Sequence, residues 1–221
     1  MVSETEGQHK LSGHEVDGSN LSVPEGALAP EGILLAAGRS SRAGTFKMEM
    51  EFAGKPLLVW SLESLAAVCE RIIVVAGFAP EKIRRLVAGR PGVEIADNEN
   101  YAAGMLSSIQ AGVRLVRAPR FFLLPGDMPL VKFPVYQKLL ATQAEIAVPV
   151  CQGRRGHPVL LASHLIPEML AEAFDSSLGR FIRHRGCETV EVDDPGIFTD
   201  MDGKNDIKKI AALLCARGKN E

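Results

Sequence analysis

The run Gly32-Ile33-Leu34-Leu35-Ala36-Ala37-Gly38-Arg39-Ser40-Ser41-Arg42-Ala43-Gly44, with Lys47 just beyond it, leads from an apolar strand straight into a loop of small residues and cations. That combination suits a polyphosphate. Ala and Gly let main-chain N–H groups approach phosphate oxygens closely, and Ser, Arg and Lys add donors and positive charge. Arg42 and Lys47 would neutralise charge building up on a leaving pyrophosphate. The pattern is neither the G-x-x-x-x-G-K-[ST] of P-loop proteins nor the G-x-G-x-x-G of dinucleotide folds. An ordinary surface turn with solvated cations is the competing reading.

Further groups along the chain could act on the same ligand. Asp127, in Gly126-Asp127-Met128-Pro129, directly follows an apolar strand. Its hard carboxylate oxygens suit Mg²⁺ beside phosphates, although a turn-forming Asp would look the same. Asp200 and Asp202 are one residue apart, so an extended segment points both to one face. They could complete a metal site with Asp127, or one could cap the last helix. Gly104 precedes a helix whose first turn carries Ser107 and Ser108, which could hold a base or ribose or cap that helix. In Gly153-Arg154-Arg155-Gly156-His157-Pro158 the glycines and arginines suit an anionic acceptor, with His157 lining it. Lys55 could reach a triphosphate or sit in solvent.

These residues need a frame that gathers them. Strands are expected at Ile33–Ala36, Arg71–Gly77, Val93–Ala96, Phe121–Leu124, Glu145–Val150, Pro158–Ala162 and Thr189–Val192. Alternation of Met48, Met50 and Phe52 with Glu49 and Glu51 predicts a short extended stretch. Helices are expected at 56–69, 80–88, 105–117, 134–141, 165–173, 178–185 and 206–216. The 158–162 strand is expected to run antiparallel to its neighbour across the Gln152–Gly156 turn. Alternating strands and helices imply an α/β fold: a Rossmann-like, mostly parallel sheet with helices on both faces. Ligands of such sheets bind beyond the carboxyl ends of the strands.

The chain has 221 residues, enough for one α/β domain, expected over 31–221. Residues 1–30 are polar, without sustained period, and are expected to form a disordered extension. A formal net charge of −2 gives no basic field for nucleic acid. No apolar run reaches membrane-span length, and the start lacks a signal-peptide core. Cys69, Cys151, Cys187 and Cys215 are too dispersed for a metal site and read as reduced thiols in a cytoplasmic protein.

In order, these motifs resemble the MobA-like nucleotidyltransferases, and within them the molybdenum cofactor cytidylyltransferase branch. The family pattern is Leu-Ala-Ala-Gly-x-Ser-x-Arg-Met-Gly plus a lysine, then Gly-Lys-Pro-Leu-Leu, Asn…Gly-Met-x-x-Ser, Gly-Asp-Met-Pro, Arg-Gly-His-Pro and Asp-x-Asp-Thr-Pro. Here the matches are Leu35–Gly44 with Lys47, Gly54–Leu58, Asn98 with Gly104–Ser108, Gly126–Pro129, Arg155–Pro158 and Asp200–Lys204. Ala43 replaces the family's Met, Gly203-Lys204 replace Thr-Pro, and Asp175–Gly179 only partly match a Gly-Asp-x-Gly segment. The resemblance implies a nucleotide-diphosphosugar-transferase type of fold. It implies Mg²⁺-dependent transfer of CMP from CTP to molybdopterin, with release of pyrophosphate. Arg42, Lys47 and Asp127 would be catalytic, and Asp127, Asp200 and Asp202 would be the metal ligands. Leu35, Ala36, Ala37, Gly38, Arg39, Ser40, Lys55, Gly104 and Ser108 would bind the nucleotide. Arg155, Gly156 and His157 would face the acceptor. Ala37 stands where guanylyltransferase relatives usually have glycine, which favours CTP over GTP. A guanylyltransferase, or a transferase with another phosphorylated acceptor, is the nearest alternative; a non-catalytic nucleotide-binding protein is another. Delivery of the product would involve transient contact with a molybdoenzyme or an insertion chaperone.

Overall fold

The computed structural model describes residues 29–39, 46–200 and 213. Its strands are β1 (Glu31–Ala36), β2 (Glu51–Phe52), β3 (Lys55–Pro56), β4 (Ile72–Ala76), β5 (Val93–Asp97), β6 (Arg120–Pro125), β7 (Ile146–Cys151), β8 (Arg154–Arg155), β9 (Val159–Ala162) and β10 (Glu188–Glu191). The helices are α1 (Leu57–Ala66), α2 (Pro80–Val87), α3 (Met105–Val113), α4 (Phe133–Ala141), α5 (Ile166–Ala171) and α6 (Leu178–Arg185).

The main sheet runs β10-β7-β9-β6-β1-β4-β5, with β8 attached to β7. β1 pairs in parallel with β4 on one side and β6 on the other, and β7 pairs in parallel with β10. β9 runs antiparallel to both β6 and β7, as the turn at 152–156 predicts. All six residues of β1 are buried, as are the five of β4, because helices cover both faces. Period two divides them. Leu34 and Ala36 face a core with Leu58 and Leu62 of α1, Ile83 of α2 and Tyr136 of α4. Ile33 and Leu35 face a second core with Ile109 of α3, Met169 of α5 and Phe181 of α6.

Strand order reverses between β1 and β6, so a crevice opens where these two neighbours end. Leu35 lies level with both Val75 and Pro125, and the Gly126 N–H donates to the Leu35 carbonyl at 2.9 Å. The loops after β1, β4 and β6 therefore leave the sheet at one height.

Two expected elements differ. Residues 48–52 are not one extended stretch: Lys47–Glu49 form a 3-10 turn, and only Glu51–Phe52 pair, with Lys55–Pro56. Met48 is buried in the core while Glu49 pairs with Lys82, and that inward and outward pull suits a helical turn better than a strand. The helix expected to reach Arg117 ends at Val113. Beyond it the chain tightens into three-residue turns, and the Glu31 carboxylate accepts from the main-chain N–H groups of Arg117 and Ala118. The segment 152–156, expected as a turn, also carries the short strand β8. Gln152 and Gly153 both have positive φ, 52° and 75°, the twist a tight hairpin needs. The helix expected at 206–216 lies outside the described residues, apart from helical Leu213.

At the opposite end of the sheet, Arg71 joins Glu31 of β1 and Glu94 of β5, both at 2.5 Å, and donates to the Leu115 carbonyl. Hydrogen bonding from Arg71 holds the Glu94 carboxyl below the usual carboxylate range. Glu31 is buried, so removing its cation strands a charge. Arg71→Leu is expected to cost ~3 kcal/mol, measured as a lower urea midpoint; an unchanged midpoint would show that the network is dispensable.

Candidate active site

The β1 loop begins at Ala37, which is buried, while Gly38 and Arg39 are exposed. Ala37 is fixed from the next strand: its carbonyl accepts from Phe78 N–H at 3.1 Å. Its Cβ packs where a side chain on Gly77 would come within 2.8 Å, so only glycine lets the β4 loop approach. The Arg39 guanidinium lies over the rings of Phe78 (6.0 Å) and Tyr101 (5.7 Å), which meet edge to face. Phe78 and Tyr101 were not among the residues picked from sequence. The available signal was Gly77-Phe78 directly after a strand. Ser40 and Arg42 lie outside the described residues.

Across the crevice, Asp127 follows β6 and receives the Lys47 ammonium at 2.7 Å. The structure thus joins two of the three residues expected to be catalytic, although they are 80 positions apart in sequence. Lys47 reaches Asp127 from a 3-10 turn that the buried Met48 anchors in the core. Asp127 offers hard carboxylate oxygens at the ligand edge of the sheet, with the Lys47 ammonium as their resting counterion. Among the described residues no group of three His, Cys, Asp or Glu side chains converges. That donor set fits Mg²⁺, which uses one or two carboxylates and takes its other oxygens from phosphate and water. It does not fit zinc.

Asn98 continues from β5, where its N–H donates to the Ala76 carbonyl at 2.7 Å. Its buried amide donates to the hydroxyls of Ser107 (2.9 Å) and Ser108 (3.0 Å) on α3. Neither serine caps the helix; no side chain caps α3, whose first residue follows Gly104. The Ser107 hydroxyl instead lies within hydrogen-bond reach of the Gly104 and Asn100 carbonyls. Asn98 thus fixes the start of α3 against the sheet, a role visible only once β5 and α3 are adjacent. Lys55 is engaged elsewhere, with Glu63 at 2.9 Å and over the Trp60 ring at 4.5 Å.

The β7–β8 hairpin leads into Gly156 and His157. Gly156 packs so tightly that a Cβ there would lie 2.2 Å from the Ile197 carbonyl oxygen, and the same carbonyl accepts from His157 N–H at 2.7 Å. Ile197 belongs to the 3-10 turn Pro195–Phe198, which Asp194 caps by accepting from Gly196 N–H. Arg154 stacks over Phe198 at 4.2 Å. Asp200 follows this turn and is exposed; Asp202 lies outside the described residues. His157 is half-buried with its Nδ1 atom inside, and this desolvation lowers its pKa, while the Leu123 main chain and the Asp127 charge act in the opposite direction.

Arg155, Gly156 and His157 line a cavity of about 440 Å³ together with Leu106 of α3 and Ser176 and Arg183 around α6. Its size is that of a small-molecule site. Ser176 and Arg183 were not anticipated as site residues. Two features of the arrangement carry chemistry: a cation–carboxylate pair at the sheet's ligand edge, and a second cavity bordered by arginines on the same side.

Asn98→Ala should leave two buried serine hydroxyls without their donor and destabilise the fold by about 1–3 kcal/mol. Urea denaturation measures this, and a variant as stable as the parent would remove Asn98 from the frame of the site.

Comparison with known proteins follows the same lines. Residues 32–190 match the family model described as the MobA-like NTP transferase domain. The molybdenum cofactor cytidylyltransferase of Escherichia coli (strain K12) is 28% identical over 175 residues, covering 79% of this chain and 91% of that protein. A molybdenum cofactor guanylyltransferase of Cereibacter sphaeroides is 28% identical over 195 residues, covering 83% of this chain and 96% of that protein. The solved structure of the Mycobacterium tuberculosis Rv0371c homologue from Mycobacterium sp. strain JC1 superposes with a TM-score of 0.72 at 25% identity, covering 83% of this chain and 96% of that one. No helix among the described residues is long and apolar enough to cross a membrane.

Proposed function

The chain belongs to the MobA-like NTP transferase family and is a nucleotidyltransferase, and we propose that it transfers CMP from CTP to the terminal phosphate of molybdopterin. The observation that carries the reading is the Lys47–Asp127 pair at the crevice between β1 and β6, together with the arginine-bordered cavity at the hairpin that follows β7. One substrate would lie over the β1 loop and the other over the hairpin, their phosphates meeting at Asp127.

In the reaction a phosphate oxygen of the acceptor attacks the α-phosphorus of CTP. The bond from that phosphorus to the oxygen bridging to the β-phosphate breaks, and pyrophosphate leaves with the electron pair. The protein's part is alignment and charge neutralisation. Leu35, Ala36, Ala37 and Gly38 would lie against the base and ribose, with Gly104 and Ser108 on the facing wall. Arg39, Ser40, Arg42 and Lys47 would take the triphosphate oxygens as charge moves to the leaving group. Asp127, with Asp200 or Asp202, would hold Mg²⁺, which when bound offsets phosphate charge. Arg155, Gly156 and His157 would orient the acceptor's phosphate. Lys55, engaged by Glu63, would support the triphosphate only after leaving that partner. The setting would be cytoplasmic, with the dinucleotide passed to a molybdoenzyme or an insertion chaperone by transient contact. Nothing in the charge of the chain favours nucleic acid as a partner.

CTP is preferred over GTP in this reading because Ala37 stands where guanylyltransferase relatives usually have glycine.

Asp127→Asn should lower kcat/KM for pyrophosphate release from CTP by at least about a hundredfold with Mg²⁺ and molybdopterin present. Unchanged turnover in that variant would remove Asp127 from the metal site. Ala37→Gly should shift the CTP-to-GTP ratio of kcat/KM toward GTP by roughly tenfold. If the parent enzyme already prefers GTP in the same assay, the cytidylyl reading fails and a guanylyltransferase replaces it.

A further inference from the structure

Lys47 reaches Asp127 from a turn that belongs to no strand of the main sheet, so its aim is not set by the strand ladder. The turn's own main-chain bonds are internal, from Glu49 N–H to the Phe46 carbonyl at 3.0 Å and from Met50 N–H to the Lys47 carbonyl at 3.1 Å. The Met50 carbonyl accepts from Leu57 N–H at 2.8 Å, which ties down the trailing end. The rotation of the turn is left to its side chains. With three residues per turn, successive side chains of a 3-10 helix leave its axis about 120° apart. Lys47, Met48 and Glu49 accordingly point in three directions: to Asp127, into the core, and to Lys82 of α2. Two anchored directions set the third.

Lys82 grips the turn at both ends. Its ammonium donates to the Glu49 carboxylate at 2.5 Å and lies over the Phe46 ring, 5.4 Å from the centroid. Phe46 directly precedes Lys47 and is buried. Helix α2 is itself registered on the strand ends, because it starts just after Phe78, whose N–H donates to the Ala37 carbonyl at 3.1 Å. Lys82 thus carries the position of the β1 and β4 ends across to the turn. The Lys82 and Glu49 side chains are 41% and 34% exposed, and an ion pair so open to solvent contributes little to stability. What it supplies is direction.

We propose that Lys82 is a positioning residue for Lys47: by holding Glu49 and the Phe46 ring it fixes the rotation of the turn and aims the Lys47 ammonium at Asp127 and the phosphates gathered there. The kinetic consequence rests on the nucleotidyl-transfer reading above; the geometric claim does not. In this role Lys82 touches neither substrate, so its loss acts through Lys47 on the rate of transfer rather than on nucleotide affinity. A misplacement of about 1 Å in such a cation is enough to slow the reaction severely.

The test uses the full chain carrying Lys82→Met, Lys82→Arg, Glu49→Gln, or Lys82→Met and Glu49→Gln together. Pyrophosphate release from CTP with Mg²⁺ and molybdopterin gives kcat and KM. Trace acetylation with acetic anhydride, read by mass spectrometry, gives the reactivity of the Lys47 amine relative to that of Lys138 on α4. Lys82→Met and Glu49→Gln are each expected to lower kcat about tenfold, with KM for CTP within about twofold and the urea midpoint unchanged. The double variant loses no more than either single one, and Lys82→Arg recovers most of the rate. Lys47 acetylates at least about threefold faster in Lys82→Met, because a loosened pair protects the amine less. Parental kcat in Lys82→Met, or parental Lys47 reactivity in it, overturns the proposal. A rise in KM at unchanged kcat also overturns it, since Lys82 would then be a nucleotide contact. So does a loss of kcat that tracks a lowered urea midpoint and is not recovered by Lys82→Arg. If the parent releases no pyrophosphate from any nucleoside triphosphate, the transferase reading fails, and Lys47 reactivity alone decides the positioning.

Discussion

One main-chain hydrogen bond, from Gly126 N–H to the Leu35 carbonyl at 2.9 Å, joins the ends of the two strands between which the ligand crevice opens. The Gly126 carbonyl is held in turn by the buried Ser61 hydroxyl of α1 at 2.9 Å. A carboxylate placed one residue later has a defined direction, because its main chain is tied to the core on both sides. Lys47 completes the constraint by reaching Asp127 from a turn rooted under the sheet. The end of β1 and Asp127 are consequently parts of one edge of the sheet, the condition for charge to be neutralised there with little reorganisation.

Most of the frame was legible because the strands are apolar runs bounded by Gly, Pro and Asp, and because alternation with helices has few solutions. Asp127 could be picked out for the same reason: its position after a strand already says where it points. The parts that were not legible depend on contacts between distant segments. Arg117 reads as helical until the Glu31 carboxylate, far earlier in the chain, captures its N–H. Met48, Met50 and Phe52 have the period of a strand, but the burial of Met48 in the core of α1 and α2 coils that segment into a turn. Ser107 and Ser108 read as caps from local sequence, whereas Asn98 takes them into a network that only the packing of β5 against α3 creates. Ser176 lies in the segment Asp175–Gly179, which matches the family's Gly-Asp-x-Gly only in part, and its place in a cavity wall shows only once α6 and the hairpin line the same cavity.

The hairpin side of the site is organised differently from the β1 side. It is not set by strand ends but by a clamp: the hairpin enters at Gly156, where no side chain fits, and Ile197 closes over it. Asp194 steadies the clamp by accepting from Gly196 and Lys132 N–H, and Arg154 covers Phe198. A change at the Pro195–Phe198 turn therefore acts on His157 through its main chain, and on the acidic segment that follows.

The ion pair between Lys47 and Asp127 also bears on the order of events at the site. A bare divalent cation approaching Asp127 would meet an ammonium group 2.7 Å from the carboxylate and would have to compete with it. A cation that arrives already chelated by a triphosphate brings the anion to which Lys47 can transfer. On the function proposed above, the resting pair would favour entry of a metal–triphosphate complex over that of the bare cation.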